Sequence, residues 1–136
     1  MKPRLLYVEL KTGYNSTGPA WIGLGHFSKT GRTVYFDGKA FEGGRIGSMH
    51  RELLTGEYYW ISGIKKDMTD RHWIGSGKIG VDRAILADYL DFVGLAELPK
   101  SHYHLVDLDQ SIPKELVNKI KNQSLSDEST DTNPTI

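Results

Sequence analysis

Lys29-Thr30-Gly31-Arg32-Thr33-Val34-Tyr35-Phe36-Asp37-Gly38-Lys39-Ala40-Phe41-Glu42 contains two chain reversals with a short strand between them. Gly31 supplies the positive φ that the first turn needs, and Asp37-Gly38 is the two-residue signal of a tight hairpin. Thr33 to Phe36 is β-branched and aromatic, and Lys39 to Glu42 answers it as a partner strand. The stretch predicts a meander, and the sequence on either side extends it. Upstream, Trp21 to Phe27 reads as a strand entering the first turn. Its glycines at 23 and 25 share one face, which suits a bulge or a close backbone approach. Leu5 to Leu10 reads as another strand, separated from it by the breaker-rich loop Gly13 to Pro19. Downstream, Gly43 to Ser48 reads as a flexible loop and Glu57 to Ser62 as the strongest strand. Gly63 to Asp67 leads to a turn, and His72 to Ile74 reads as one more short strand.

Five or six short strands with tight turns predict a mainly β fold. The economical form is a small antiparallel barrel, SH3-like or related, because closure removes exposed sheet edges. Past Gly80 the period changes. Asp82 can cap a helix, and Ile85, Leu86, Tyr89, Leu90 and Val93 recur on one helical face. Gly94 and Pro99 stop it. Tyr103 to Leu108 reads as a last strand. Ser111-Ile112-Pro113 opens a second helix with Leu116, Val117 and Ile120 as its buried side. The expected plan is a barrel-like domain over 1–80, a helical C-terminal extension over 81–123 packed on it, and a disordered tail over 124–136, where polar residues dominate.

The chain has 136 residues and no Cys. That length supports one real core without staples, and thiolate metal sites, disulfides and a Cys nucleophile are excluded. No stretch is apolar for long enough to span a bilayer. Glu9 and Lys11 interrupt the apolar start that a signal peptide requires, so a cytoplasmic location is expected. Net charge is zero but unevenly spread. Residues 1–83 carry 13 Lys and Arg against 8 Asp and Glu, whereas residues 84–136 carry 4 against 9. The two halves either attract one another or form a basic binding face beside an acidic tail.

Several strings carry a resemblance: Tyr7-Val8-Glu9-Leu10-Lys11-Thr12-Gly13, Gly18-Pro19-Ala20-Trp21-Ile22-Gly23, Ser28 to Thr33, Tyr59 to Asp67, and Asp70-Arg71-His72-Trp73. Over about residues 5–83 the chain resembles a family of small, uncharacterised bacterial proteins. Some members are labelled 1-deoxy-D-xylulose-5-phosphate synthase. That enzyme is a thiamine-diphosphate transferase several times this length, and none of its cofactor motifs appear here. The resemblance therefore implies neither its activity nor its cofactor, and no cofactor is expected.

The densest candidate constellation is basic and aromatic. Tyr58, Trp60, Lys65, Lys66, Arg71, His72, Trp73 and Lys78 lie close in sequence, with Tyr59 among them and Lys29 and Arg32 on a nearby hairpin tip. Small barrels bind nucleic acid with this mix, cations on phosphates and rings on bases. Half of the rings on such a strand must face a core. Gly75-Ser76-Gly77-Lys78-Ile79-Gly80 matches G-x-G-x-x-G, but the surrounding βαβ unit of a dinucleotide fold is missing, and Ile79 stands where a P-loop needs Ser or Thr. His72 with Asp70 is a candidate base if the segment is extended. His102 and His104 alternate on one strand face without a third ligand at metal-site spacing. No catalytic constellation closes. The expected function is a binding module, with nucleic acid as the leading ligand. A peptide- or protein-binding barrel is the alternative, as is a small-molecule enzyme or nucleotide-phosphate binder built on His72 and the Gly75 to Gly80 loop.

Overall fold

The computed structural model describes residues 1–11, 18–71 and 77–131, with side chains to residue 122. Six strands close an antiparallel barrel: β1 (Arg4–Leu10), β2 (Ala20–Phe27), β3 (Thr33–Phe36), β4 (Lys39–Gly43), β5 (Ser48–Glu52) and β6 (Tyr58–Gly63). Each pairs with its neighbour in sequence, and β1 pairs β6 to shut the ring. Two further strands, β7 (Ile79–Asp82) and β8 (Tyr103–Val106), lie outside it. Helix α1 (Leu86–Val93) follows β7 through a single 3-10 turn, and α2 (Lys114–Asp131) follows β8.

The hairpin between β3 and β4 forms as its sequence predicts. Phe36 faces Lys39, and both turn residues take positive φ, 51° at Asp37 and 70° at Gly38. That left-handed pair matches the twist of the flanking strands. The barrel interior is filled by Leu6, Val8, Val34, Phe36, Phe41, Tyr59 and Ile61. Phe41 and Tyr59 meet edge to face, with centroids 4.9 Å apart. The close approach expected at Gly25 is present, because a Cβ there would collide with the Leu6 side chain.

Strand β2 is where the barrel meets the rest of the molecule. Its last residues, His26 and Phe27, pair with β3, whereas Ala20 to Ile22 pair with β7 in parallel. β7 in turn pairs with β8 in parallel, so β3 and β7 share one edge of β2. The outward face of β1 and β2 then has a cover. Tyr7, Ala20 and Ile22 pack with Ile79, Val81, Ile85, Tyr89 and Tyr103. α2 docks elsewhere, with Val117 against Tyr35 and Ala40.

The helix signals hold. Asp82 caps the turn after β7 by accepting from the Ala84 amide (3.2 Å), and Gly94 ends α1 in the left-handed conformation at φ 77°. Other expectations differ from the structure. Residues 48–52, given no strand in the sequence reading, form β5. Its inward side chains are His50 and Glu52, both buried, so the apolar alternation that marks a strand is absent. Polar bonds replace it. His50 Nδ1 lies 3.0 Å from the Ser48 carbonyl, and the Glu52 carboxylate accepts from the amides of Leu54 and Thr55.

Ile79 to Asp82, given no strand from the sequence, form β7. Gly80 is buried there, and a Cβ on it would press on Val106 and Trp21. Val117 is buried on α2, but Leu116 is exposed and Ile120 only half-buried. α2 runs Lys114–Asp131. The proposed strand His72 to Ile74 lies outside the described residues.

Candidate functional site

The sequence-selected residues do not form one face. Tyr58 and Trp60 point outward from β6, with Tyr58 55 % exposed and Trp60 half-buried against the cluster under α1. Arg51 and Met49 stand opposite them on β5, so the outer surface carries a strip of Tyr58, Arg51, Trp60 and Met49. Lys65 and Lys66 are exposed in the connection after β6, and the Lys66 ammonium lies 5.7 Å from the centre of the Phe92 ring on α1. Lys78 is exposed just ahead of β7. Arg71 is buried, at 7 % exposure. His72, Trp73, Gly75 and Ser76 lie outside the described residues. Gly77 is exposed, but Gly80 is a strand residue and the helical turn begins only at Arg83, so no helix N-terminus opens directly on Lys78.

Arg71 belongs to a polar cluster on the face under α1. Tyr7 and Glu9 follow each other on the outward side of β1 and are both buried. The Tyr7 hydroxyl donates to Glu9 Oε1, and Lys11 pairs with Glu9 Oε2 at 2.5 Å. Burial first, then the neighbouring Glu9, pushes the Tyr7 hydroxyl far above the ordinary tyrosine range. Burial does the same to Tyr89, whose ring meets that of Tyr103 with centroids 6.3 Å apart. Arg71 Nη2 donates to the Gly18 carbonyl at 2.8 Å. Asp70 Oδ1 accepts from the Lys65 amide at 2.9 Å. Burial raises the Asp70 carboxyl above the ordinary aspartate value, although that amide bond pulls it down. The sequence reading singled out Arg71 and Asp70 but missed Tyr7, Glu9 and Tyr89. The one available signal was Tyr7-x-Glu9, two polar groups on one strand face.

A second feature is a cleft of about 510 Å³ beside β8. Leu86 and Leu90 of α1, Leu98 after it, and Leu105 of β8 supply apolar wall. Lys78, Lys100 and His104 reach it too, with Glu97 as the one acidic residue among the lining groups. Tyr103 stands between cleft and cluster, lining the first and packing on Tyr89 of the second. β8 ends the sheet, with no strand paired beyond it among the described residues.

His102 lies 2.9 Å through Nδ1 from the Ser101 hydroxyl, and His104 sits at the cleft. No group of three or more His, Asp or Glu side chains comes together to hold a metal among the described residues. Among those residues no helix is long and apolar enough to cross a membrane. No protein-family model, curated protein or solved structure matches the chain.

Proposed function

We propose that the chain is a binding module that holds an extended acidic peptide in the cleft beside β8. The observation that carries this reading is the combination of an apolar cleft with a strand that ends the sheet. A peptide laid along such an edge gains main-chain hydrogen bonds, and its alternate side chains enter the pocket. Leu86, Leu90, Leu98 and Leu105 suit apolar side chains, and Lys78 and Lys100 outweigh Glu97 in charge. The test is a titration of isotope-labelled protein with a short peptide of alternating Asp and Leu, against a Lys-Leu control. Saturable shifts in 86–90 and 98–106 are expected for the acidic peptide alone, and Leu90→Asp removes them. No saturable shift by about 1 mM peptide overturns the reading.

A second reading is single-stranded nucleic acid on the outer strip of β5 and β6. Its support is Tyr58, whose exposed ring lies across from Arg51. Binding there falls steeply as salt rises, and Tyr58→Ala weakens it by about 1–3 kcal/mol. Oligonucleotides that fail to bind even at about 50 mM salt exclude it.

A further inference from the structure

Arg71 is 7 % exposed, and only one of its nitrogens is matched: Nη2, on the Gly18 carbonyl. Nε and Nη1 are buried and have no acceptor among the described residues. None of the ion pairs there includes Arg71. This is an expensive arrangement. A guanidinium keeps its charge in any protein environment, so it cannot escape burial by losing a proton as a lysine can. A buried, unpaired charge is strongly unfavourable.

The chain offers few ways to supply the missing anion. Glu9 is held by Tyr7 and Lys11. The stretches next to Gly18 and Arg71 in sequence, 12–17 and 72–76, contain no Asp or Glu. Asp70, the adjacent carboxylate, gives one oxygen to the Lys65 amide, and its Oδ2 is also buried without a partner among the described residues. Asp70 and Arg71 are neighbours in sequence, and both act electrostatically on the buried Tyr7 of β1.

We propose that Arg71 anchors a site for a small molecule bearing an oxyanion, a carboxylate or a phosphate. The Asp70 carboxylate, whose Oδ2 is buried without a partner among the described residues, accepts from a hydrogen-bond donor on the same ligand. The site is distinct from the β8 cleft and rests on different residues. Charge-assisted bonds from a desolvated guanidinium are strong and directional, which is what an otherwise unmatched buried arginine provides.

The test follows the Arg71 Nε–Hε resonance of the full chain. Inorganic phosphate and sodium acetate are added in separate titrations, with sodium chloride holding ionic strength constant. A saturable shift with phosphate alone assigns a phosphate site, and one with acetate alone a carboxylate site. Saturation with both supports a general oxyanion site. No saturable shift with either overturns the proposal. Arg71→Lys keeps the charge but replaces the planar five-donor fork with a three-donor ammonium, so it should weaken binding about tenfold or more, followed by the Tyr7 ring signals. Unchanged affinity in a folded Arg71→Lys protein also overturns it. If that variant does not fold, the wild-type Nε titration decides alone.

Discussion

Strand β1 serves two interiors, and its own side chains fill them differently. Leu6 and Val8 enter the barrel, where they meet Val34, Phe36, Phe41, Tyr59 and Ile61. Tyr7 and Glu9, one residue out of phase, enter the layer under α1, where Asp70, Arg71, Tyr89 and Tyr103 are also found. The barrel side is built from antiparallel pairs of strands adjacent in sequence and closes by pairing its first strand, β1, with its last, β6. The α1 side depends on β7 and β8, which join in parallel from distant parts of the chain. The barrel interior is mostly apolar, and its buried His50 and Glu52 are matched by hydrogen bonds. A layer that buries a guanidinium, carboxyls and phenols loses on desolvation unless each group is matched. The barrel is thus the stable scaffold, and the α1 layer is where unmatched chemistry is held.

The largest effect that can break this contrast lies inside the barrel. Phe41→Ala removes a buried ring and its edge-to-face contact with Tyr59, and should cost about 3–5 kcal/mol. Urea unfolding measures it, and a loss below about 1 kcal/mol would show that the barrel interior is not the main source of stability. A smaller loss is expected at the seam between the regions. Asp82 is buried at 2 % exposure. Its carboxylate accepts from the amides of Ala84 and Leu108 and, at 2.6 Å, from the Gln110 side chain. Asp82→Ala deletes the cap and this tie between β7 and the segment after β8, at about 1–3 kcal/mol. Asp82→Asn, which keeps an acceptor oxygen, should cost less. Equal losses for the two would mean that the charge, and not the hydrogen bonds, holds the seam.

These regions were also unequally legible in the sequence. Strands Leu5 to Leu10, Thr33 to Phe36 and Glu57 to Ser62 announce themselves because apolar alternation and turn residues agree. β5 did not, because its inward positions are His50 and Glu52. β7 did not, because Gly80 and Asp82 read as a loop end and a helix cap. The Asp82 cap is real, but Gly80 is a mid-strand residue, and both sit on a short strand. The basic-aromatic set was visible as composition, yet sequence proximity did not become one surface. Tyr58 is outward on β6, Lys78 lies at the cleft, and Arg71 is inside. Alternation assigns a strand residue to one side or the other, but it does not say which outward face acquires a cover. That is decided by the parallel crossover through β7, a contact between distant segments. Charge asymmetry was equally indirect. Arg83–Asp107 follows the expected attraction between halves, whereas Lys121–Glu42 runs opposite to it.

A pH experiment sharpens the comparison with a smaller effect. Burial raises the Asp70 carboxyl in the folded chain. The folded state therefore keeps this proton to higher pH than the unfolded state does. The stability from this group is fully present below the unfolded aspartate value and is lost as pH rises through the folded one. Asp70→Asn should remove that slope. Its thermal midpoint should fall less than the wild type's between about pH 4 and about pH 7. Parallel curves for the two proteins would show that Asp70 is solvated like a surface carboxylate.

The smallest effect is expected at the end of α2. Val117, 4 % exposed, is the helix's buried anchor on Tyr35 and Ala40, with Leu53 packed beside them. Beyond Ile120 the sequence offers only Leu125 and Ile136 as large apolar residues, and amphipathic packing is what stabilises most protein helices. Removing residues 124–136 should leave the thermal midpoint essentially unchanged. Val117→Asp, which places a charge against the barrel wall, should lower it clearly. A large drop on truncation would mean that the final turns of α2 are packed as firmly as its first. The barrel would then have a third covered face, and the two-sided description of the scaffold would fail.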